Sequence, residues 1–243
     1  MTAEQRERLE FYDAATMKLA NSVWVPCKGI DHMDFSSNGR YFIASCEFGE
    51  AVVKFDVERQ KLIGRLKVNP AGMPQDVKLS PDGTVFYVAD MHADGVHLID
   101  GENLRQIGFI PTGKGAHGLY VSRDSRWLYV SNRGEGSVSL IALETRKAAT
   151  KWWLPGPASP DMGGVSADGK VLWPAGGTPK STPSAPPAES RSRAFRWVTA
   201  RMGFASIPSP GVIRWATPAY FDKAAHQAER WRGAGDQFNL RRS

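Results

Sequence analysis

Cysteine is scarce in this 243-residue chain, and Cys27 and Cys46 are the only two. A single pair cannot build the disulfide framework of a small secreted domain. Each flanks an apolar run, where a thiol behaves as a small hydrophobe, so both are expected as buried free thiols. Long apolar runs are missing too. None reaches the roughly 18 residues that a membrane-crossing helix requires, and the opening MTAEQRERLEFYDAATMKLA lacks the apolar block of a secretory signal. The chain as written is therefore expected in the cytoplasm, with no membrane partner. Catalytic signatures are absent as well: there is no His-x-Glu-x-x-His, no Gly-x-Ser-x-Gly, no paired-cysteine motif and no phosphate loop. SNRGEGSVS carries Gly134 and Gly136 but reads as a hairpin rather than a strand-to-helix turn, so it is not a dinucleotide fingerprint. Neither a cofactor nor a metal is expected.

Turn-forming residues are abundant. With 24 Gly and 16 Pro in a chain long enough to bury a full-sized core, the composition favours many short strands over long helices. The formal charge of +6 could point to nucleic acid, but it is unevenly spread. Residues 1–173 hold 20 Lys+Arg against 21 Asp+Glu, whereas residues 174–243 hold 11 against 4, with 8 of the 16 prolines. The basic excess lies in a Pro-, Ser- and Arg-rich tail without hydrophobic periodicity. Such a segment reads as irregular or disordered rather than as a phosphate-binding face, and no nucleic-acid partner is expected.

Aligning the chain on itself shows a repeat. FSSNGRYFIAS, LSPDGTVFYVAD, VSRDSRWLYVSN and VSADGKVLWPA share Ser36, Ser80, Ser122 and Ser166, which lie 44, 42 and 44 residues apart. AVVKFDVERQKLIGRLKV, GVHLIDGENLRQIGFIP and SVSLIALETRKAATKWWLP follow the first three, and a further copy of that half, RLEFYDAATMKLANSVWVP, opens the chain. A period in the low forties with four strand signals per unit marks a propeller blade. In the second unit, strands A to D are DVKL, VFYVAD, GVHLID and RQIGFIP. Their nearly continuous apolar runs suit strands covered on both faces. The Asn-Gly or Asp-Gly after the serine supplies the positive φ of a tight A to B turn. A serine that recurs at every such turn serves the turn and is not a nucleophile.

YVSN at 129–132 and YVAD at 87–90 each lie between a Ser-Pro-Asp-Gly-like turn and a Val-x-x-Ile strand. In this they resemble the repeats of YVTN-type β-propellers. The resemblance spans roughly residues 9–173 and implies an all-β propeller of four-stranded antiparallel blades, typically about seven of them and often exported. Relatives include surface-layer proteins, haem-binding nitrite reductase domains and lactone-hydrolysing enzymes, so no single activity is implied. Here the propeller is incomplete, with about four blades present. The units are 9–25, 30–68, 75–111, 117–154 and 161–173, between an N-terminal flank at 1–8 and the tail at 174–243. Either 161–173 pairs with 9–25 to close a four-bladed ring, or open strand edges remain and favour self-association.

In a propeller, A strands line the channel, and the loops entering A and leaving B share one face. Entering A, five residues before each repeat serine, are Asp31, Gln75, His117 and Asp161; leaving B are Glu47, Asp90, Asn132 and Arg133. This channel mouth is the candidate ligand site. Asp31, His117, Asp161 and Asn132 carry donors that a divalent cation accepts, but such residues before a strand also satisfy local backbone groups. The expected function is a non-enzymatic scaffold binding a protein or small-molecule ligand at this face. The alternative is an enzyme or cofactor-binding propeller, lactonase-like or haem-binding as the resemblance implies, using the axial Asp31, His117 and Asp161. His97 falls within a strand as a packed side chain, His32 and His92 fall in loops, and Trp152-Trp153 reads as packing between blades.

The repeat stops after Trp173. If codons are regrouped to begin at the third base of each visible codon, TPKSTPS permits YAEVYAI, and RAFRWVTARMGFASIPSPGVIRWATPA permits ARIPVGDRPHGLCVYPQPGRYSLGHTG. The second hidden string parallels GFIPTGKGAHGLYVSRDSRWLYVSN at 108–132. Some of its glycines are forced, because Trp and Met have a single codon each: Trp197-Val198, Met202-Gly203 and Trp215-Ala216 all yield GGN. The tail is therefore read as the product of a frameshift near codon 174. The coding DNA beyond that point is expected to hold an open, repeat-like reading in the shifted frame. Stop codons or non-repeat residues in that frame would refute it.

Overall fold

The computed structural model describes residues 1–177, together with the backbone of 205–206 and 214–215. Strands β1 (Thr2–Ala3), β2 (Arg8–Tyr12) and β3 (Leu19–Trp24) form the first sheet. The first complete blade is β4 (Ile30–Phe35), β5 (Tyr41–Cys46), β6 (Ala51–Asp56) and β7 (Lys61–Lys67). The second is β8 (Pro74–Leu79), β9 (Phe86–Asp90), β10 (Gly95–Asp100) and β11 (Arg105–Pro111). The third is β12 (Ala116–Val121), β13 (Trp127–Asn132), β14 (Ser137–Ala142) and β15 (Lys147–Trp153). The last sheet is β16 (Ser159–Val165) and β17 (Val171–Gly177), extended by the short β18 (Ala205–Ser206) and β19 (Arg214–Trp215). Every pairing is antiparallel between neighbours in sequence.

The A to B hairpins form as the repeat serines indicate. Ser80 Oγ donates to Asp82 Oδ1 at 2.5 Å and accepts the N–H of Thr84 and Val85 at 3.2 and 3.0 Å, while Gly83 takes φ 73. Ser122 repeats this with Asp124 and the N–H groups of Arg126 and Trp127, and there Ser125 adopts the left-handed φ of 57. The serine hydroxyl is thus consumed within its own turn.

The apolar residues pack between blades rather than within them. Tyr41, Ile43 and Val52 of the first blade meet Val77, Phe86, Val88 and Ile99 of the second. Val96, Leu98 and Ile110 of the second meet Leu119, Leu128 and Val130 of the third. Trp152 packs beside Tyr129 and Leu172, in the role its sequence position suggests. At the centre β4 lies beside β8, β8 beside β12 and β12 beside β16. Side chains bridge these inner strands: Asp34 Oδ2 accepts the N–H of Leu79 at 2.8 Å, and Asp76 Oδ2 that of Leu119 at 2.9 Å. Burial pushes the Asp76 carboxyl above the usual range, against the opposing pull of Lys78 and the Leu119 N–H.

One expectation is corrected and one of two open alternatives is removed. The N-terminal flank at 1–8 is part of the first sheet, because β1 pairs with β2 through Thr2–Leu9 and Ala3–Arg8. The ends also do not combine into one split blade: β2 pairs with β1 and β3, and β17 pairs with β16 and β18. In addition, β17 runs past Trp173 to Gly177, since backbone pairing of Ser159 with Gly177 continues the ladder whatever the side chains. Most of the tail, with the expected disorder, lies outside the described residues.

Because the core lies between blades, Ile99→Ala should destabilise by about 2–5 kcal/mol in urea denaturation. Ile99 is fully buried. The exposed Ile63→Ala should cost under about 0.5 kcal/mol. Equal losses would contradict this placement of the core.

Candidate channel-mouth site

All four inner strands leave regular register at the same step. Pairing shifts between Ile30 and Met33, Pro74 and Val77, Ala116 and Leu119, and Pro160 and Gly163. In each case two residues stand opposite one: Asp31-His32, Gln75-Asp76, His117-Gly118 and Asp161-Met162. A bulge of this kind interrupts the alternation of faces and re-aims side chains. Ser131, opposite His117-Gly118, accepts the Gly118 N–H at 2.8 Å and so satisfies a group that the ladder leaves free. Gly118 is required there, because a Cβ would lie 2.1 Å from the Tyr120 hydroxyl.

The bulges bring part of the expected site together across blades. His117 Nδ1 lies 3.1 Å from Asp161 Oδ1, and Arg133 Nη2 lies 3.5 Å from Asp161 Oδ2. The His117 contact is not aligned as a hydrogen bond. Burial lowers the His117 pKa, Asp161 opposes that shift and Arg133 reinforces it. In the first blade, Asp31 Oδ2 lies 3.1 Å from His32 Nε2, and this contact raises the imidazole pKa. Glu4 is raised by its slight burial and then by the charges of Asp31 and Glu47, so these carboxylates share one field. His32 and Glu4 were not legible as mouth residues. His32 reads as a loop residue because the bulge that turns it beside Asp31 has no sequence signature of its own.

Gln75, Asp90 and Asn132 are buried, as His117 is, but their side chains bond within their own blade. Asp90 Oδ1 accepts the N–H of Met73, Ala93 and His92 at 2.7, 2.8 and 3.1 Å, and Asp90 Oδ2 lies 3.1 Å from His97 Nε2. His97 Nδ1 in turn faces Gln106 Nε2 at 3.2 Å. The Asn69 N–H donates to Gln106 Oε1 at 2.9 Å, so the amide presents its N–H to the ring, and His97 accepts at Nδ1 and donates at Nε2. Asn132 donates to the hydroxyls of Ser137 and Ser139 at 2.8 and 3.0 Å. Both residues end strand B and tie the loops around them. The Asp90 carboxylate and the Asn132 amide nitrogen are engaged inside the blade rather than offered at the mouth, while Asn132 Oδ1 is buried without a hydrogen-bond partner among the described residues.

Cys46 holds the same place in the first blade, since Cys46, Asp90 and Asn132 pair with Ile30, Pro74 and Ala116, the first residues of their inner strands. The cysteines are not free thiols. Cys27 and Cys46 form a disulfide with Cα atoms 5.0 Å apart. Antiparallel pairing of β4 with β5 brings the loop before β4 against the end of β5, a proximity that the 19-residue separation conceals.

Four-stranded antiparallel sheets with inner strands side by side around a common centre define a β-propeller. This chain belongs to the YNCE-like beta-propeller family, whose family model matches residues 5–177, in keeping with the YVTN-type resemblance. Among solved structures it is similar to Kuenenia stuttgartiensis hydrazine synthase: 25% identity and a TM-score of 0.58, over 65% of this chain and 45% of that one. It is also similar to virginiamycin B lyase from Staphylococcus aureus, at 13% identity and a TM-score of 0.67, over 88% of this chain and 64% of that one. The second likeness is one of fold alone. The chain spans less than two thirds of either neighbour's length. A search of curated proteins finds no match.

The Asp90 hub makes a pH prediction. Burial would raise the Asp90 pKa, but His97 and the N–H groups of Met73 and Ala93 hold it below the usual value. Its stabilising contribution is then fully present above the unfolded aspartate pKa of about 3.9 and is lost as pH falls through the depressed folded value. Asp90→Asn should cost about 1–3 kcal/mol at neutral pH and flatten the acid limb of a melting-temperature profile. An acid limb as steep as that of the unsubstituted protein would remove this role.

Proposed function

We propose that this propeller is a non-enzymatic binding scaffold whose channel mouth takes up a small polar molecule or a polar side chain of a protein partner. The single observation that carries this reading is the bulge recurring in all four inner strands. It groups His117, Asp161 and Arg133 across neighbouring blades and Asp31 with His32 in the first. A rigid frame presenting partly exposed ionic groups suits recognition.

A second reading, as an enzyme, is favoured by one feature of His117. Its Nδ1 lies 3.1 Å from a carboxylate, while Nε2 makes no hydrogen bond or ion pair among the described residues and has its lone pair or proton uncommitted, as a general acid or base would. One solved neighbour, at 25% identity, is named as a synthase, which supports this reading. The disulfide supports a home in an oxidising compartment rather than the cytoplasm. The repeat-like string that the shifted frame permits supports a longer parent propeller.

The test is a thermal-shift panel of small carboxylates, phosphate and amines, applied to the full chain and to His117→Ala and Arg133→Ala. A ligand at about 100 times its Kd should stabilise the unsubstituted protein by about 2.7 kcal/mol, and both variants should lose that gain. Ligands that shift all three proteins equally would overturn the mouth as the site. Mass spectrometry of the recovered ligand separates the readings: unchanged ligand supports the scaffold, and converted ligand supports the enzyme.

A further inference from the structure

A cleft of about 370 Å³ opens between the first sheet and the first blade, on the side where β3 and β7 end. It is separate from the channel mouth and shares none of its residues. Trp24 and Phe48 line it at 58% and 56% exposure, large apolar surfaces left in solvent. Exposed aromatic rings held at a fixed place are typical recognition surfaces.

These walls are built rather than incidental. Phe48 lies across Gly29, where a Cβ would stand 2.6 Å from its ring, and Gly29 takes φ 65. Arg65 Nη2 donates to the carbonyl of Gly49 at 2.6 Å and pins the turn that carries Phe48. The disulfide joins the opposing walls: Cys27 lies between the lining residues Pro26 and Lys28, and Cys46 lies two residues before Phe48. Such bracing lowers the ordering cost of binding.

The charge of the lining narrows the ligand. The ammonium groups of Lys28 and Lys67 make no ion pair or hydrogen bond among the described residues and are available. Glu7 and Glu50 also line the cleft and disfavour a polyanion such as nucleic acid. We propose that this cleft is a binding site for a planar aromatic molecule carrying one anionic group, with its ring against Trp24 and Phe48 and its anion toward Lys28 and Lys67. The volume fits a compact ligand of that class.

Titration calorimetry of the full-length oxidised protein with naphthoate tests this. Saturable one-site binding is expected. Trp24→Ala, Phe48→Ala and the double variant Lys28→Ala/Lys67→Ala should each weaken it about tenfold. His117→Ala should leave it unchanged, which separates this cleft from the channel mouth. Neutral naphthamide should bind about tenfold more weakly than naphthoate. Opening the brace with Cys46→Ser should also weaken binding, and melting curves of the exposed-site variants verify that they fold. Absence of saturable binding, or binding indifferent to Trp24→Ala and Phe48→Ala, would overturn the site. Equal affinity for naphthoate and naphthamide would overturn its preference for an anion.

Discussion

Burial of each sheet's apolar faces against the next sheet is the constraint on which the molecule depends. A lone four-stranded sheet of this size leaves both faces wet, and strands such as Phe86–Asp90 or Tyr41–Cys46 are largely apolar or small on each. Stacking the sheets covers both faces at once, which explains why β5 and β9 are buried along their whole length while the outer β7 and β15 are largely exposed. Inner strands then converge by geometry alone. Their edges would carry unsatisfied backbone groups if nothing bridged them, and Asp34 and Asp76 supply acceptors across the two junctions they serve.

A frame held from the periphery can tolerate irregularity at its centre. Each inner strand gives up one step of regular pairing, and the first residue set free there is polar in every blade: Asp31, Gln75, His117 and Asp161. The cost of a local bulge is borne because the surrounding sheet is fixed by packing on both sides. The candidate site is therefore a consequence of the fold's rigidity, whereas its charges come from individual blades. Neighbouring blades supply His117, Arg133 and Asp161, and the first blade adds the Asp31–His32 pair.

The end of strand B shows one mechanical need met by different chemistries. In the second blade a carboxylate gathers the surrounding N–H groups and a histidine, and in the third an amide binds two hydroxyls. The first blade uses a covalent bond, Cys27–Cys46. Hydrogen bonds to a buried carboxylate depend on pH and a disulfide depends on redox state, so the blades respond to different conditions. The disulfide also lies beneath the aromatic cleft, which ties the shape of that surface to the oxidation of the chain.

The repeating sheet and its turn chemistry were legible because they are local: Ser80-Pro81-Asp82-Gly83 closes its hairpin with its own atoms, and Gly95–Asp100 and Arg105–Pro111 form strands where the repeat places C and D. The pairing of His117 with Asp161 was only partly legible, since a common offset from the repeat serine places both at one level but says nothing of distance. Asp90 and Asn132 looked like mouth residues for the same reason, yet lie fully buried, because Asp90 turns to the loops beside it and Asn132 to Ser137 and Ser139 of the next strand. His32 entered the mouth through a bulge, and Cys27 met Cys46 through strand pairing. By itself, then, the sequence determined the repeating unit and the polar character of each blade's inner end. The tertiary structure decided which polar groups face solvent, which are spent on the backbone and which meet across blades, because those outcomes depend on register and packing between residues far apart in the chain.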